Sequence, residues 1–101
     1  MRPLPGPCYP AARLPMQDQP STLELRAGPS GPRYYLAGRP VSGGSPLQLC
    51  FSGGWVTGRY EWSGDYADAP RFFASIELAG GQVEILSFAL PEGALLRWPQ
   101  P

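Results

Sequence analysis

The chain has 101 residues, which is the size of one compact domain. Glycine (13) and proline (14) occupy more than a quarter of its positions, and this share disfavours long helices. Eight arginines balance eight acidic residues, and the chain has neither histidine nor lysine. Without histidine there is no Ser–His or Cys–His nucleophile pair and no His-ligated metal. We therefore expect a single domain that is not an enzyme and takes no cofactor or metal ion.

The net charge and the hydropathy of the chain also restrict its binding partners and its location in the cell. A pI near 6.1 argues against a protein that holds nucleic acid by its overall field, but it leaves room for a local arginine patch. No apolar run approaches the roughly 20 residues of a membrane span. Prolines interrupt the first ten residues, so no signal-peptide core is predicted there. The expected location is the cytoplasm, with no membrane partner.

Proline is concentrated at the beginning of the chain. Residues 1–20 show no sustained period of 2 or 3.6, and their prolines favour polyproline II geometry. We expect a disordered Pro-rich leader over 1–20 and one domain over 21–101. A disulfide between Cys8 and Cys50 requires that leader to fold back on the domain, so both thiols are expected to be reduced.

From Ser21 onward, short stretches of alternating apolar and polar residues are separated by turn residues. This pattern is typical of small antiparallel β domains. The stretches are residues 23–26, 33–36, 47–51, 55–62, 71–78, 82–88 and 94–98. Turns are predicted at Ala37-Gly38 and at Ser52-Gly53-Gly54. We expect five or six short strands that form an all-β, small antiparallel, partly open barrel of the SH3-like kind.

Period-2 alternation predicts which side chains face the interior. The apolar stripes comprise Leu47, Leu49 and Phe51; Val56, Tyr60 and Trp62; and Phe72, Ala74, Ile76 and Leu78. Cys50 faces away from the first of these stripes. Gly58 lies in the middle of its strand, where it permits a bulge or a sharp bend.

Three segments carry a resemblance: RYYLAGRPV, LQLCFSGGWVTGRYEWSGD and LPEGALLRW. They resemble a small uncharacterised bacterial domain family over about residues 33–98. The chain departs from the family pattern at Ser45-Pro46, where Gly-Asp is more usual, and at Gln48, where the family has Glu. The resemblance implies a small SH3-like β fold and implies nothing about activity.

Aromatic side chains on the faces opposite the apolar stripes are the main candidates for a binding surface. Next to arginines, such rings stack on bases or clamp a proline-rich peptide. The candidate binding residues are Tyr35, Trp55, Phe73, Arg33, Arg59 and Arg71. The simpler alternative is that these rings fill the open ends of the barrel.

The charged residues have structural interpretations of the same kind. Arg59 and Glu61 share a strand face, and Arg71 or Glu77 on the next strand suits cross-strand ion pairing. Asp65 and Asp68 offer oxygen ligands, but calcium loops need more acidic ligands at fixed spacing, so we expect a solvated loop.

These observations predict a non-enzymatic adaptor whose exposed aromatic and arginine surface contacts a protein partner. The alternative is a module that binds single-stranded nucleic acid, with Trp55, Tyr35 and Phe73 as stacking platforms. An enzyme based on paired carboxylates is a third hypothesis, which lacks a predicted cleft.

Overall fold

The computed structural model describes residues 19–99, and within that range it contains β-strands and no helix. The eight strands are β1 (Glu24–Gly28), β2 (Gly31–Leu36), β3 (Arg39–Pro40), β4 (Pro46–Phe51), β5 (Gly54–Glu61), β6 (Arg71–Glu77), β7 (Val83–Ala89) and β8 (Leu96–Arg97). The all-β prediction is confirmed. The eight strands exceed the five or six expected; all but β3 overlap a predicted stretch, whereas β3 has two residues and is too short to give a pattern. The predicted disordered leader lies, up to Asp18, outside the described residues.

The strands form two antiparallel sheets that do not close into a barrel. A small sheet has the order β1-β2-β3, and a large sheet has the order β7-β6-β5-β4-β8. Outside the named strands, one bridge joins Ser21, just before β1, to Leu96 in β8. The predicted SH3-like barrel is therefore not confirmed. Closure requires the two edge strands to pair, and β7 pairs only with β6 in the described part of the chain.

Two hairpins turn where the sequence predicts, each with a two-residue turn; Gly54, predicted as part of the second turn, is the first residue of β5. Ala37 and Gly38 have φ of 52° and 81°, and Ser52 and Gly53 have φ of 53° and 81°. Positive φ at both central residues is the type I′ geometry, whose twist matches that of the flanking strands. Each turn fixes the register of the two strands that it joins. Leu36 of β2 therefore lies opposite Arg39 of β3, and Phe51 of β4 lies opposite Gly54 of β5.

The core lies between the two sheets. Its largest fully buried side chains are Tyr60, Phe72, Leu36, Leu47 and Leu96. Trp98 joins the sheets directly, because its indole N–H donates to the carbonyl oxygen of Leu36 at 2.9 Å. Tyr34 of the small sheet also packs edge-on against Trp62, with ring centroids 4.7 Å apart.

Two of the predicted apolar stripes, those of β4 and β6, are buried at one end and exposed at the other. Leu49 and Ala74 are buried as predicted, whereas Ile76 is only half-buried. The expectation that Phe51 and Leu78 lie in the core is wrong, because both side chains are exposed. These two residues lie at hairpin ends that extend past the area covered by the small sheet. Apolar and polar residues still alternate there, but neither face of the strand is buried.

The large sheet divides into two hairpins at Gly58. Pairing of β5 with β6 runs from Glu61–Arg71 to Gly58–Ala74 and stops there. Beyond that point β5 continues to pair with β4, and β6 continues to pair with β7. A Cβ at Gly58 would lie 2.5 Å from the carbonyl oxygen of Phe73. Glycine is thus required for the close approach of two strands. This role differs from the bulge or sharp bend predicted there, since the pairing of Gly58 with Leu47 and with Ala74 continues the one-for-one register.

Candidate functional site

The structure divides the six predicted binding residues between the two sheets. Arg59 pairs with Phe73, and Glu61 pairs with Arg71, so these side chains share one face of the large sheet. We call this surface, which faces away from the core, the outer face. Trp55 belongs to it because it lies four residues before Arg59 in β5. Arg33 and Tyr35 lie instead on the small sheet.

Arginine side chains cover two of the three rings that the sequence predicts as stacking platforms. The Arg97 guanidinium lies 4.3 Å from the Trp55 ring centroid, and the Arg26 guanidinium lies 4.5 Å from that of Tyr35. Burial beside the outer face lowers the pKa of Arg97 from its ordinary value. Arg97 also donates to Gln48 Oε1 at 2.7 Å, which holds it over the indole. Both rings therefore already have a cation stacked on them.

The predicted cross-strand ion pairs of the large sheet do not form. Arg71 donates to Ser87 Oγ at 3.1 Å, and no ion pair of Arg59, Glu61 or Glu77 occurs among residues 19–99. The ion pair in this range joins Arg26 to Glu24 at 2.8 Å on the small sheet. Its hydrogen bond raises the pKa of Arg26. Within residues 19–99, Arg59 and Arg71 on the outer face therefore make no ion pair.

The acidic loop between β5 and β6 satisfies its own polar groups. Asp65 accepts from the Ala67 N–H, and Asp68 Oδ2 accepts from Ser63. The Trp62 indole N–H donates to the Asp68 carbonyl at 2.9 Å and fixes the loop to the core. Over the described range, no group of three or more His, Cys, Asp or Glu residues could hold a metal ion.

This loop separates two shallow cavities at one end of the sheets. One, of about 380 Å³, lies between Tyr34, Tyr66 and the residues that connect β7 to β8. The other, of about 450 Å³, opens on the outer face beside Arg71 and Phe73. The first cavity has Asp68 and Glu92 in its lining, and the second has Glu61, Asp68 and Arg71.

The β7 strand is the most exposed apolar element of the large sheet. Val83 is 61% exposed, Ile85 is 65% exposed and Leu86 is 49% exposed. Val83 and Ile85 lie on the outer face, whereas Leu86 lies on the opposite face, because β7 pairs one-for-one with β6. The strand is therefore apolar on both sides at its exposed end.

The hydrogen bonds at the two ends of the β6–β7 ladder show which backbone groups of β7 are open. Leu78 N–H donates to Gln82 C=O at 2.6 Å, and Leu90 N–H donates to Pro70 C=O at 2.7 Å. Hydrogen-bonded pairs alternate along an antiparallel ladder, so the even-numbered residues of β7 direct their backbone groups at β6. The residues whose N–H and C=O point to the open side are Val83, Ile85, Ser87 and Ala89.

A binding surface at β7 is not among the predictions above, although the sequence carries a signal for it. In the segment VEILSFA, apolar residues at 83 and 85 are followed by apolar residues at 86 and 88. A strand with one buried face alternates strictly, so apolar residues on both faces indicate either burial on both sides or exposed apolar surface. Only the position of the strand in the sheet distinguishes the two.

Cys50 faces away from the core, as predicted, but the expectation that it is a reduced thiol is wrong. The residue is disulfide-bonded. Cys8, the other cysteine of the sequence, lies outside the described residues.

Comparisons with known proteins give no relative for this chain. No family model, no curated protein and no solved structure matches it. In residues 19–99, no helix has the length and apolar character needed to cross a bilayer.

Proposed function

We propose that this domain is a protein-binding module that accepts an extended segment of its partner as an additional strand along β7. The observation that carries the proposal is the outer edge of β7, where backbone groups without a partner among residues 19–99 coincide with exposed apolar side chains. Strand addition takes affinity from main-chain hydrogen bonds and specificity from side chains on alternate sides. The proposed module binds and does not catalyse.

The edge has few of the features that usually prevent such pairing. Exposed edge strands are commonly protected by charged side chains, proline or a bulge. In β7 the one charged residue is Glu84, and the strand has neither proline nor lysine. Its register with β6 is continuous from Val83 to Ala89, without a bulge. A strand with this composition favours pairing with another chain over exposure to water.

Binding of single-stranded nucleic acid has less support. It needs bare rings beside free cations, and Trp55 and Tyr35 already carry stacked arginines. Phe73 is half-buried between Arg59 and Ser87. We therefore propose that the domain binds a protein partner. The cytoplasmic location stays a prediction, and the disulfide at Cys50 argues against it, since disulfides are rare in reducing compartments.

A display selection tests the proposal with random twelve-residue peptides as the probe. We expect enriched peptides to alternate β-branched or aromatic residues with polar ones, because such segments add readily to a sheet edge. Binding of an enriched peptide should perturb the backbone amide resonances of Val83, Ile85 and Ser87. Ile85→Lys should remove binding.

The matched control is Phe51→Lys. Phe51 and Ile85 are both 65% exposed, but Phe51 lies at the β4–β5 turn, away from the open edge. Equal binding to both variants would contradict the proposal, and so would peptide-induced shifts confined to residues outside β7.

A further inference from the structure

We propose, on the basis of the function proposed above, that the added strand is β7 of a second copy of this chain, antiparallel and related by a twofold axis at Leu86. The dimer would have one continuous sheet formed by the two large sheets. The inference rests on the self-complementarity of β7 in backbone phase, side-chain size and charge.

Backbone phase selects Leu86 as the centre. It is the middle residue of Val83–Ala89, so an axis there places Val83 opposite Ala89 of the second copy and Ile85 opposite Ser87. All four of these residues direct their N–H and C=O to the open side, so each outward-pointing group gains a partner.

Neighbouring axes leave a group without a partner. An axis at Ser87 places Val83 opposite Pro91, which has no N–H to donate. An axis at Ile85 places Ala89 opposite Gly81, which lies outside the strand and has φ of 82°. The register centred on Leu86 is the one that uses the whole strand.

Side-chain size is also matched in this register. On the outer face, the large exposed residues Val83 and Ile85 lie opposite the small residues Ala89 and Ser87, so the two copies interlock without crowding. On the other face, Leu86 of one copy lies against Leu86 of the other. This contact covers apolar surface that is exposed in the monomer.

Charge is compatible with the same arrangement. Glu84 is the one charged residue of β7, and in this register it lies opposite Phe88. The two Glu84 carboxylates are then separated by four residues along the strand, or about 13 Å. Like charges directly opposite each other are destabilising in a sheet, and this register avoids them.

Sedimentation velocity and site-specific oxidation test the inference on the full chain. We expect the wild-type chain to dimerise. Ile85→Lys should weaken the dimer roughly 100-fold or more, because apolar burial is lost twice per dimer and each 1.4 kcal/mol is tenfold. Phe51→Lys should leave the dimer unchanged.

Oxidation of cysteine variants tests the register itself. Two residues at the centre form a non-hydrogen-bonded pair with Cα atoms about 4.5 Å apart, which is within disulfide range. Leu86→Cys should therefore yield a covalent dimer on a non-reducing gel. Glu84→Cys, on the same face and two residues away, should not, and the wild-type chain provides the background.

Three results would overturn the inference: a wild-type chain that stays monomeric at millimolar concentration, a dimer that Ile85→Lys does not weaken, or equal cross-linking of Glu84→Cys and Leu86→Cys. The peptide selection described above is independent of these measurements. A monomer whose β7 still binds extended peptides would refute the dimer and leave the proposed function standing.

Discussion

Gly58→Ala is the substitution for which the structure gives the sharpest expectation. A Cβ on this residue would lie 2.5 Å from the Phe73 carbonyl oxygen and 2.6 Å from the nearest atoms of the Phe72 ring. Real Cβ atoms do not approach other atoms so closely, so something must move. The carbonyl belongs to a paired strand and the ring is fully buried, and neither can give way without disturbing the core.

The expected cost follows from the two opposing effects of the methyl group. Overpacking a well-packed site costs about 1–3 kcal/mol. Replacing a glycine within a strand returns roughly 0.5–1 kcal/mol, because glycine loses more conformational freedom on folding. We expect a net loss of about 1–2 kcal/mol, which lowers the Tm of a domain of this size by roughly 5–15 °C.

Thermal unfolding followed by circular dichroism measures this loss, with Gly54→Ala as the control. Gly54 lies in the same strand, and its nearest neighbour for a Cβ is the Phe51 carbonyl oxygen at 3.9 Å, an ordinary contact. The control should be neutral or slightly stabilising. Equal stability of the two variants would refute the close approach of β5 and β6 at Gly58.

Four further substitutions test the core. Trp98→Phe should cost about 1–3 kcal/mol in urea unfolding, because the Leu36 carbonyl loses its side-chain donor. Leu47→Ala should cost about 2–5 kcal/mol by cavity formation, and Ile76→Ala should cost less because Ile76 is only half-buried. Burial raises the pKa of the Tyr60 hydroxyl in the folded state, so stability is kept below about pH 10 and falls as the pH rises above it. Tyr60→Phe should flatten that alkaline decrease in the urea midpoint.

Each of these expectations has a contrary outcome. An unchanged urea midpoint for Trp98→Phe would show that the indole hydrogen bond contributes nothing. Equal losses of unfolding free energy for Leu47→Ala and Ile76→Ala would mean that Ile76 of the β6–β7 hairpin is as deeply buried as Leu47. An alkaline decrease that Tyr60→Phe leaves as steep as before would assign it to other tyrosines.

The strands and tight turns are predictable from sequence because their causes are local. Alternation places Leu49, Tyr60 and Ala74 inside, and the Ala37-Gly38 and Ser52-Gly53 turns fix two hairpins. The arrangement of the sheets depends on contacts between distant segments. No local sequence pattern indicates that Ser21 pairs with Leu96. The end of the β5–β6 pairing at Gly58 is marked in the sequence only by the glycine itself.

The candidate site was predicted less well, for a related reason. The sequence correctly places Trp55 and Arg59 on one strand face, but it cannot identify Arg97, 42 positions further along, as the cation over Trp55. It also cannot show which hairpin forms the edge of a sheet. For Ile85 that position determines whether an apolar side chain faces a neighbour or water.

The mutual hydrogen bonds of Ser21 and Leu96, both 2.8 Å, bring the beginning and the end of the described range side by side. Units with adjacent ends can be spliced into a surface loop of another protein, since the host chain leaves and returns at nearly the same point. The same geometry suits circular permutation. A permuted chain that keeps every residue, with a linker from Pro101 to Met1 and new ends opened in the exposed loop at residues 63–69, should preserve both sheets, because no strand is cut.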